Sequence, residues 1–231
     1  MAKKGKLIVI DGTDSSGKAT QTELLIKHLK QDGQKVKVVD FPQYYSNFFG
    51  KFIGHCLSEQ YYHFVKVHPK IASVLYAADR YESRDKIKKW LKEGNIVIAN
   101  RYASANQIHQ GGKIASTEKR ESFLKWLAEM EYKVFKIPRP DTVVYLDVPI
   151  KVVMKLIRER NKNDSRSYLE EKQDVHEKDV KFLENSRKSA LWLSNTQKGW
   201  IKIECVKRGI LNTRENIHKE IYEKIKRIIK K

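Results

Sequence analysis

Cysteine is scarce in this chain. Cys56 and Cys205 are two residues in 231, far apart and outside any CxxC or Cys/His cluster. That excludes a disulfide framework and argues against a structural zinc site, leaving two reduced, structural thiols. Proline is also sparse, with five scattered residues, and no Pro- or Gly-rich stretch marks a linker. No apolar run approaches the roughly 18 residues that cross a bilayer. The opening MAKKGKLIVIDG has no h-region and no cleavage site of a signal peptide, so the expected location is the cytoplasm, without a membrane partner. Acidic residues are outnumbered, 28 against 47 basic ones, for a net charge of +19. The basic residues are interspersed with acidic ones along the whole chain, as in Lys86 to Lys89 and Lys224 to Arg227. That pattern reads as solvated helix faces rather than a nucleic-acid surface.

What is present is a globular composition, 40% hydrophobic and 32% charged, in a length that suits one domain over residues 1–231. Short apolar runs alternate with helical patterns. Lys6–Asp11 (KLIVID) reads as a strand, followed by a Gly-rich turn and a helix through Leu24, Leu25, Ile26 and Leu29 that Gly33 stops. Lys35–Asp40 is the second strand. A helix-rich stretch runs to Glu93 and Gly94, and Asn95–Asn100 (NIVIAN) is the third. A helix over Thr117–Tyr132, capped by Ser116 or Thr117, precedes the fourth strand, Thr142–Asp147. Pro149 suits the first turn of the next helix, Trp200–Val206 reads as the fifth strand, and an amphipathic helix starting near Asn212 carries Ile217, Ile221, Ile225 and Ile228. Nearly all-apolar strands between helices predict an α/β fold: a three-layer α/β/α arrangement on a five-stranded parallel sheet, with ligands at the carboxyl ends of the strands.

The sharpest motif is Gly12, Thr13, Asp14, Ser15, Ser16, Gly17, Lys18, Ala19 and Thr20, directly after a strand and opening a helix. It is nearly the Walker pattern GxxxxGK[ST]: glycines let backbone N–H groups curl around an anion, the helix N-terminus adds positive potential, and Lys18 reaches the β/γ oxygens. Ala19 stands where Ser or Thr would ligate Mg²⁺, with Thr20 one place later, so the metal ligands are left open. Asp14 would repel a phosphate unless it turns to a sugar hydroxyl or the metal shell. At the end of the third strand, Arg101 can bind a phosphate bidentately, and Asn106, His109 and Gln110 follow at i, i+3, i+4 spacing. Tyr76 and Arg80, four residues apart, offer a stacking face and a guanidinium to a base.

Taken together these residues resemble the thymidylate kinases, P-loop nucleoside monophosphate kinases. The resemblance runs from about Lys6 to Ile225 and includes Phe41-Pro42, Gln110-Gly111-Gly112, and Pro140-Asp141 leading into TVVYLD. It implies transfer of the ATP γ-phosphoryl group to dTMP with Mg²⁺, in a homodimer. It also implies roles. Asp14 faces the 3′-hydroxyl, and Phe41 and Pro42 line the monophosphate pocket. Tyr76 stacks on thymine, Arg80 meets the base edge, and Arg101 holds the acceptor phosphate. Asn106 and Gln110 surround the base, His109 fills the 2′ side of the sugar, and Lys18 bridges the phosphates. Departures are Asn100 in place of the family's Asp, and Tyr44 near where many relatives carry an Arg. The phosphate loop has no Arg, so the resemblance implies a catalytic Arg in a basic lid at about 158–172, with Arg166 first and Arg160 second. The rival readings are a related kinase with another acceptor, and a nucleotide-binding module without turnover.

Overall fold

The computed structural model describes residues 4–58, 64–161 and 179–230. Five strands form one parallel sheet: β1 (Lys6–Gly12), β2 (Val36–Asp40), β3 (Ile96–Asn100), β4 (Thr142–Asp147) and β5 (Trp200–Glu204), in the order β2-β3-β1-β4-β5. The helices are α1 (Lys18–Gln31), α2 (Phe48–Leu57), α3 (Pro69–Glu82), α4 (Arg84–Lys92), α5 (Ala103–Ala105), α6 (Thr117–Glu129), α7 (Ile150–Asn161), α8 (Val180–Thr196) and α9 (Arg214–Ile229). A two-residue ribbon, β6 (Val206–Lys207) with β7 (Ile210–Leu211), precedes α9.

The period of two along each strand divides the core. Ile8 and Ile10 of β1, Ile96 and Ile98 of β3, and Val144 and Leu146 of β4 share one face with Leu25 and Leu29 of α1 and Ile221 and Ile225 of α9. Leu7, Val9, Val97, Ala99 and Val143 fill the other face with Ile87 of α4. A strand buried on both faces is apolar along its middle, which is why Leu7–Ile10 of β1 and Val143–Leu146 of β4 read as unbroken hydrophobic runs. Each such side chain contributes roughly 1.5–3 kcal/mol on burial.

Local signals end the elements. Gly33 (φ +74°) and Gly94 (φ +79°) take the left-handed conformation after α1 and α4. Ser116 caps α6 through its hydroxyl to the Lys119 amide, and Thr213 caps α9 in the same way at Asn216. Three boundaries differ from the sequence reading. The helix expected to run to Tyr132 widens into a π turn at Met130–Val134. The fifth strand ends at Glu204 because Val206 pairs with Leu211 instead. Pro149 stands just before α7 and accepts from the Val152 and Val153 amides.

One polar cluster joins α1 to α9. His28 Nδ1 and His218 Nε2 are 3.0 Å apart, and the His28 ring stacks on Tyr222 at 3.7 Å between centroids. Burial, then the charge of His28, hold the His218 imidazole below its ordinary range. The unfolded chain therefore binds a proton here more readily than the folded one, and stability falls as pH drops through and just below about 6.5. His218→Gln should flatten the change in urea midpoint between about pH 5.5 and 7.5, and an unchanged slope would remove this pair as its source.

Candidate functional site

The loop after β1 folds as its residues demand. Gly17 adopts φ +86° at the entry to α1, which a side chain would strain, and Gly12 lies so close to Ser16 that an added Cβ would sit 2.4 Å from its Oγ. Ser15 also takes a positive φ, 55°, which turns the loop back on itself. Lys18 Nζ donates to the Thr13 carbonyl at 2.7 Å across the loop. The hydroxyls of Thr13 and Ser16 are buried without a hydrogen-bond partner among the described residues. The loop forms one wall of a cavity of about 850 Å³ at the carboxyl ends of the strands.

Arg101 is the hub opposite the loop. It sits immediately after β3 at φ +62°, uncommon for any residue but glycine, with its amide fixed to the Ile10 carbonyl at 2.9 Å. Its Nη2 donates to Asp14 at 2.5 Å, and its Nη1 is 3.8 Å from Asp11 and 2.9 Å from His109 Nε2. His109 Nε2 therefore acts as the acceptor, which places its proton on Nδ1, 3.1 Å from the Ser186 hydroxyl of α8. Asp11 is fully buried; desolvation raises its carboxyl, opposed by Arg101, by the Ser104 hydroxyl at 2.6 Å and by Lys18.

Asn106, His109 and Gln110 all reach the cavity, on a π turn, Asn106–Gln110, that continues α5. The wider turn replaces the α-helical spacing expected of them. Gly112 lets α8 close against this turn, since a Cβ there would meet the Asn185 carbonyl oxygen at 2.9 Å. Packing at this distance brings Phe182 of α8 over His109, with ring centroids 5.8 Å apart. Gln110 is 1% exposed and its Oε1 has no hydrogen-bond partner among the described residues.

Arg80 and Glu131 form a buried pair, 2% and 1% exposed. Arg80 Nε donates to Glu131 Oε2 at 2.9 Å and its Nη2 to Oε1, leaving Nη1 as the nitrogen through which it can meet a base. Glu131 was not singled out in the sequence, because it lies 51 positions away inside a helix reading. Asn106 Nδ2 donates to the same carboxylate at 3.0 Å and to the Ser73 carbonyl at 3.1 Å. The amide nitrogen of Asn106 is thus committed to the scaffold, and only its oxygen is available to a ligand.

The remaining expected residues fall as follows. Asp14 through Thr20 line the cavity, whereas Gly12 and Thr13 lie beneath it. Pro42 and Tyr76 line it, Tyr76 resting against Phe64 at 6.0 Å. Phe41 reaches it at one edge but is 4% exposed and packs on Tyr102, so it is largely core. Tyr44 and Tyr76 lie close enough to Arg101 to act on its charge. Arg166 lies outside the described residues, and the Arg160 side chain is likewise not described.

Asp40, which the sequence reading passed over as a strand end, opens onto the cavity. Desolvation by the surrounding walls raises its carboxyl, against the pull of a hydrogen bond from Asn100 and of the Arg101 and Lys18 charges. Asp79 is 1% exposed and fixes the loop after β2 by accepting from the Gln43 amide at 3.1 Å and from Asn47 Nδ2 at 2.8 Å.

Breaking the Arg80–Glu131 pair from one side leaves a buried guanidinium uncompensated. Glu131→Ala should lower unfolding free energy by about 3–5 kcal/mol in urea titrations, and a loss below about 1 kcal/mol would show that the pair is not the buried anchor described here.

The comparisons with known proteins agree with this geometry. The family model for thymidylate kinase matches residues 10–228. Thymidylate kinase of Plasmodium falciparum is 28% identical over 230 residues, spanning 98% of this chain and 92% of that one. A probable thymidylate kinase of Thermococcus onnurineus is 33% identical over 183 residues, covering 77% and 83%. A solved thymidylate kinase structure from Candida albicans superposes with a TM-score of 0.73 at 19% identity, over 98% of this chain and 93% of that one. A phosphate loop, an arginine braced against it and a cavity at the strand ends fit that match, and the chain belongs to the thymidylate kinase family.

Proposed function

We propose that this protein transfers the γ-phosphoryl group of ATP to dTMP. The observation that carries the acceptor assignment is the unpartnered, buried Gln110 Oε1 in the same cavity as Tyr76 and Arg80. A carbonyl acceptor there is suited to a base that presents an N–H, beside a ring for stacking and a guanidinium for a base carbonyl. His109 and Phe182 close the cavity near Arg101, where a sugar without a 2′-hydroxyl fits best.

In this reading the loop amides and Lys18 hold the donor phosphates, and the other end of the cavity, walled by Arg214 and Ile217 of α9, receives the adenosine. Arg101 meets the acceptor phosphate, with Asp14 beside it for the 3′-hydroxyl. No side-chain nucleophile is needed. An acceptor phosphate oxygen attacks the γ-phosphorus, and the protein contributes alignment and positive charge. Mg²⁺, arriving with the nucleotide, would neutralise charge on the phosphate oxygens. The hard oxygen donors facing the cavity suit it, Asp40 above all. Arg166 supplies the guanidinium that the loop lacks. The free, buried thiols of Cys56 and Cys205 suit the reducing cytoplasm, which we take as the location.

Exposed apolar side chains also support a homodimer. Ile71, Val74 and Tyr81 lie on one face of α3 at helical spacing, with Ile71 59% exposed. Phe48 of α2, 72% exposed, continues the patch where its amide meets Glu82. Sedimentation velocity should give a dimer at micromolar concentration and a monomer for Ile71→Asp/Val74→Asp; a monomeric parent protein would rule out the assignment.

A coupled ADP-release assay against dTMP, dUMP, dCMP, dGMP, UMP and thymidine tests the activity itself. dTMP should be preferred, and Arg166→Ala should lower kcat by about 10³-fold with a smaller change in ATP affinity, as loss of a transition-state contact requires. Preference for another acceptor would reject the base pocket, and unchanged kcat in Arg166→Ala would move the catalytic charge elsewhere.

A further inference from the structure

The sequence departs from its family at Asn100, where a carboxylate is replaced by an amide, and the structure puts a carboxylate next to it. Asp40 and Asn100 are partners in the parallel register of β2 and β3, each the last residue of its strand. The period of two sets both on the face that carries Ile96 and Ile98, the face covered by α1. The parallel register sets the Asn100 side chain beside the Asp40 carboxylate, where its amide favours the ionised form. Asn100 Oδ1 is left buried without a hydrogen-bond partner among the described residues. Both residues line the cavity, and Asp40 is open to it, in the field of Lys18 and Arg101.

Two features separate this carboxylate from the others near the loop. Asp11 is sealed at 0% exposure and spends its oxygens on the Gly12 amide and the Ser104 hydroxyl. Asp14 is paired with Arg101. Asp40 has the neutral Asn100 side chain beside it and is open to the cavity that the phosphate loop walls. A carboxylate without an ion-pair partner in that place repels a bare nucleoside phosphate and attracts one that carries a divalent cation. Ala19 removes the hydroxyl that would otherwise ligate the cation, so the need for an oxygen donor from another element is greatest here.

We propose that Asp40, aligned by Asn100, is the carboxylate that holds the nucleotide-bound divalent cation, directly or through one of its waters. The charge has moved from the end of β3 to the adjacent position on β2, and Asn100 has become the residue that positions it. A hard cation with one protein carboxylate completes its shell with phosphate oxygens and water. The inference rests on the reading that the nucleotide binds as its Mg²⁺ complex.

The test is calorimetric titration of ADP with and without Mg²⁺, so that no turnover is involved. For the parent protein, ADP should bind more tightly with Mg²⁺ than in EDTA. Asp40→Asn should cut that ratio by about tenfold, while its affinity for metal-free ADP stays the same or improves, because a repelling charge has gone. Asp40→Asn/Asn100→Asp, which returns the charge to β3 with the net charge unchanged, should recover the ratio. A ratio unchanged in Asp40→Asn overturns the inference. Equal weakening of ADP with and without Mg²⁺ also overturns it, since it marks Asp40 as a structural partner only. If the parent protein binds ADP equally well with and without Mg²⁺, the reading of a Mg²⁺-nucleotide complex fails first, and this inference with it.

Discussion

The site depends on one guanidinium held in a strained place. Arg101 has a positive φ, sits at the end of a central strand, and is braced by Asp14, by the more distant Asp11 and by His109. Each brace belongs to a different element: the phosphate loop, the end of β1, and the π turn that α8 packs on. A strained backbone persists when its surroundings over-determine it, and these contacts do so. They also fix where the Arg101 guanidinium stands relative to the phosphate loop across the cavity.

Around this hub the protein buries charge in pairs. Arg80 with Glu131, buried, and Arg187 with Asp147, partly buried, are both bidentate; the first joins α3 to the π turn after α6, the second joins α8 to the end of β4. Such pairs add little net stability because desolvation offsets attraction. Their effect is geometric: a guanidinium whose fork is matched by a carboxylate has one orientation. Arg80 is thereby presented to the cavity without freedom to turn, and Asn106, tied to the same carboxylate, joins α3 to the π turn. Among the charges of the cavity walls, Arg101 is answered by Asp14 and Arg80 by Glu131.

Much of the fold was legible from residues alone. The middles of strands β1, β3 and β4 are apolar because both faces are covered, and Gly33, Gly94 and Ser116 act within three residues of themselves. The phosphate loop was legible for the same reason, since its strand, glycines, lysine and helix are contiguous. The π turn at Asn106–Gln110 was not, because no local residue type distinguishes it from α-helix; packing of α8 against Gly112 accompanies it. The β6–β7 ribbon was missed where an apolar Val206 looked like more of the fifth strand.

The sequence by itself determined the layers, the loop and the kind of ligand, because period and motif are properties of neighbours along the chain. Only the tertiary structure decided which carboxylate answers which cation. Glu131 reaches Arg80 across 51 residues, Asp14 reaches Arg101 across 87, and Asp40 meets Asn100 only because β2 and β3 lie in register. Coulomb and hydrogen-bond energies act over a few ångströms of space, not along the chain, so those pairings exist only once the sheet has formed.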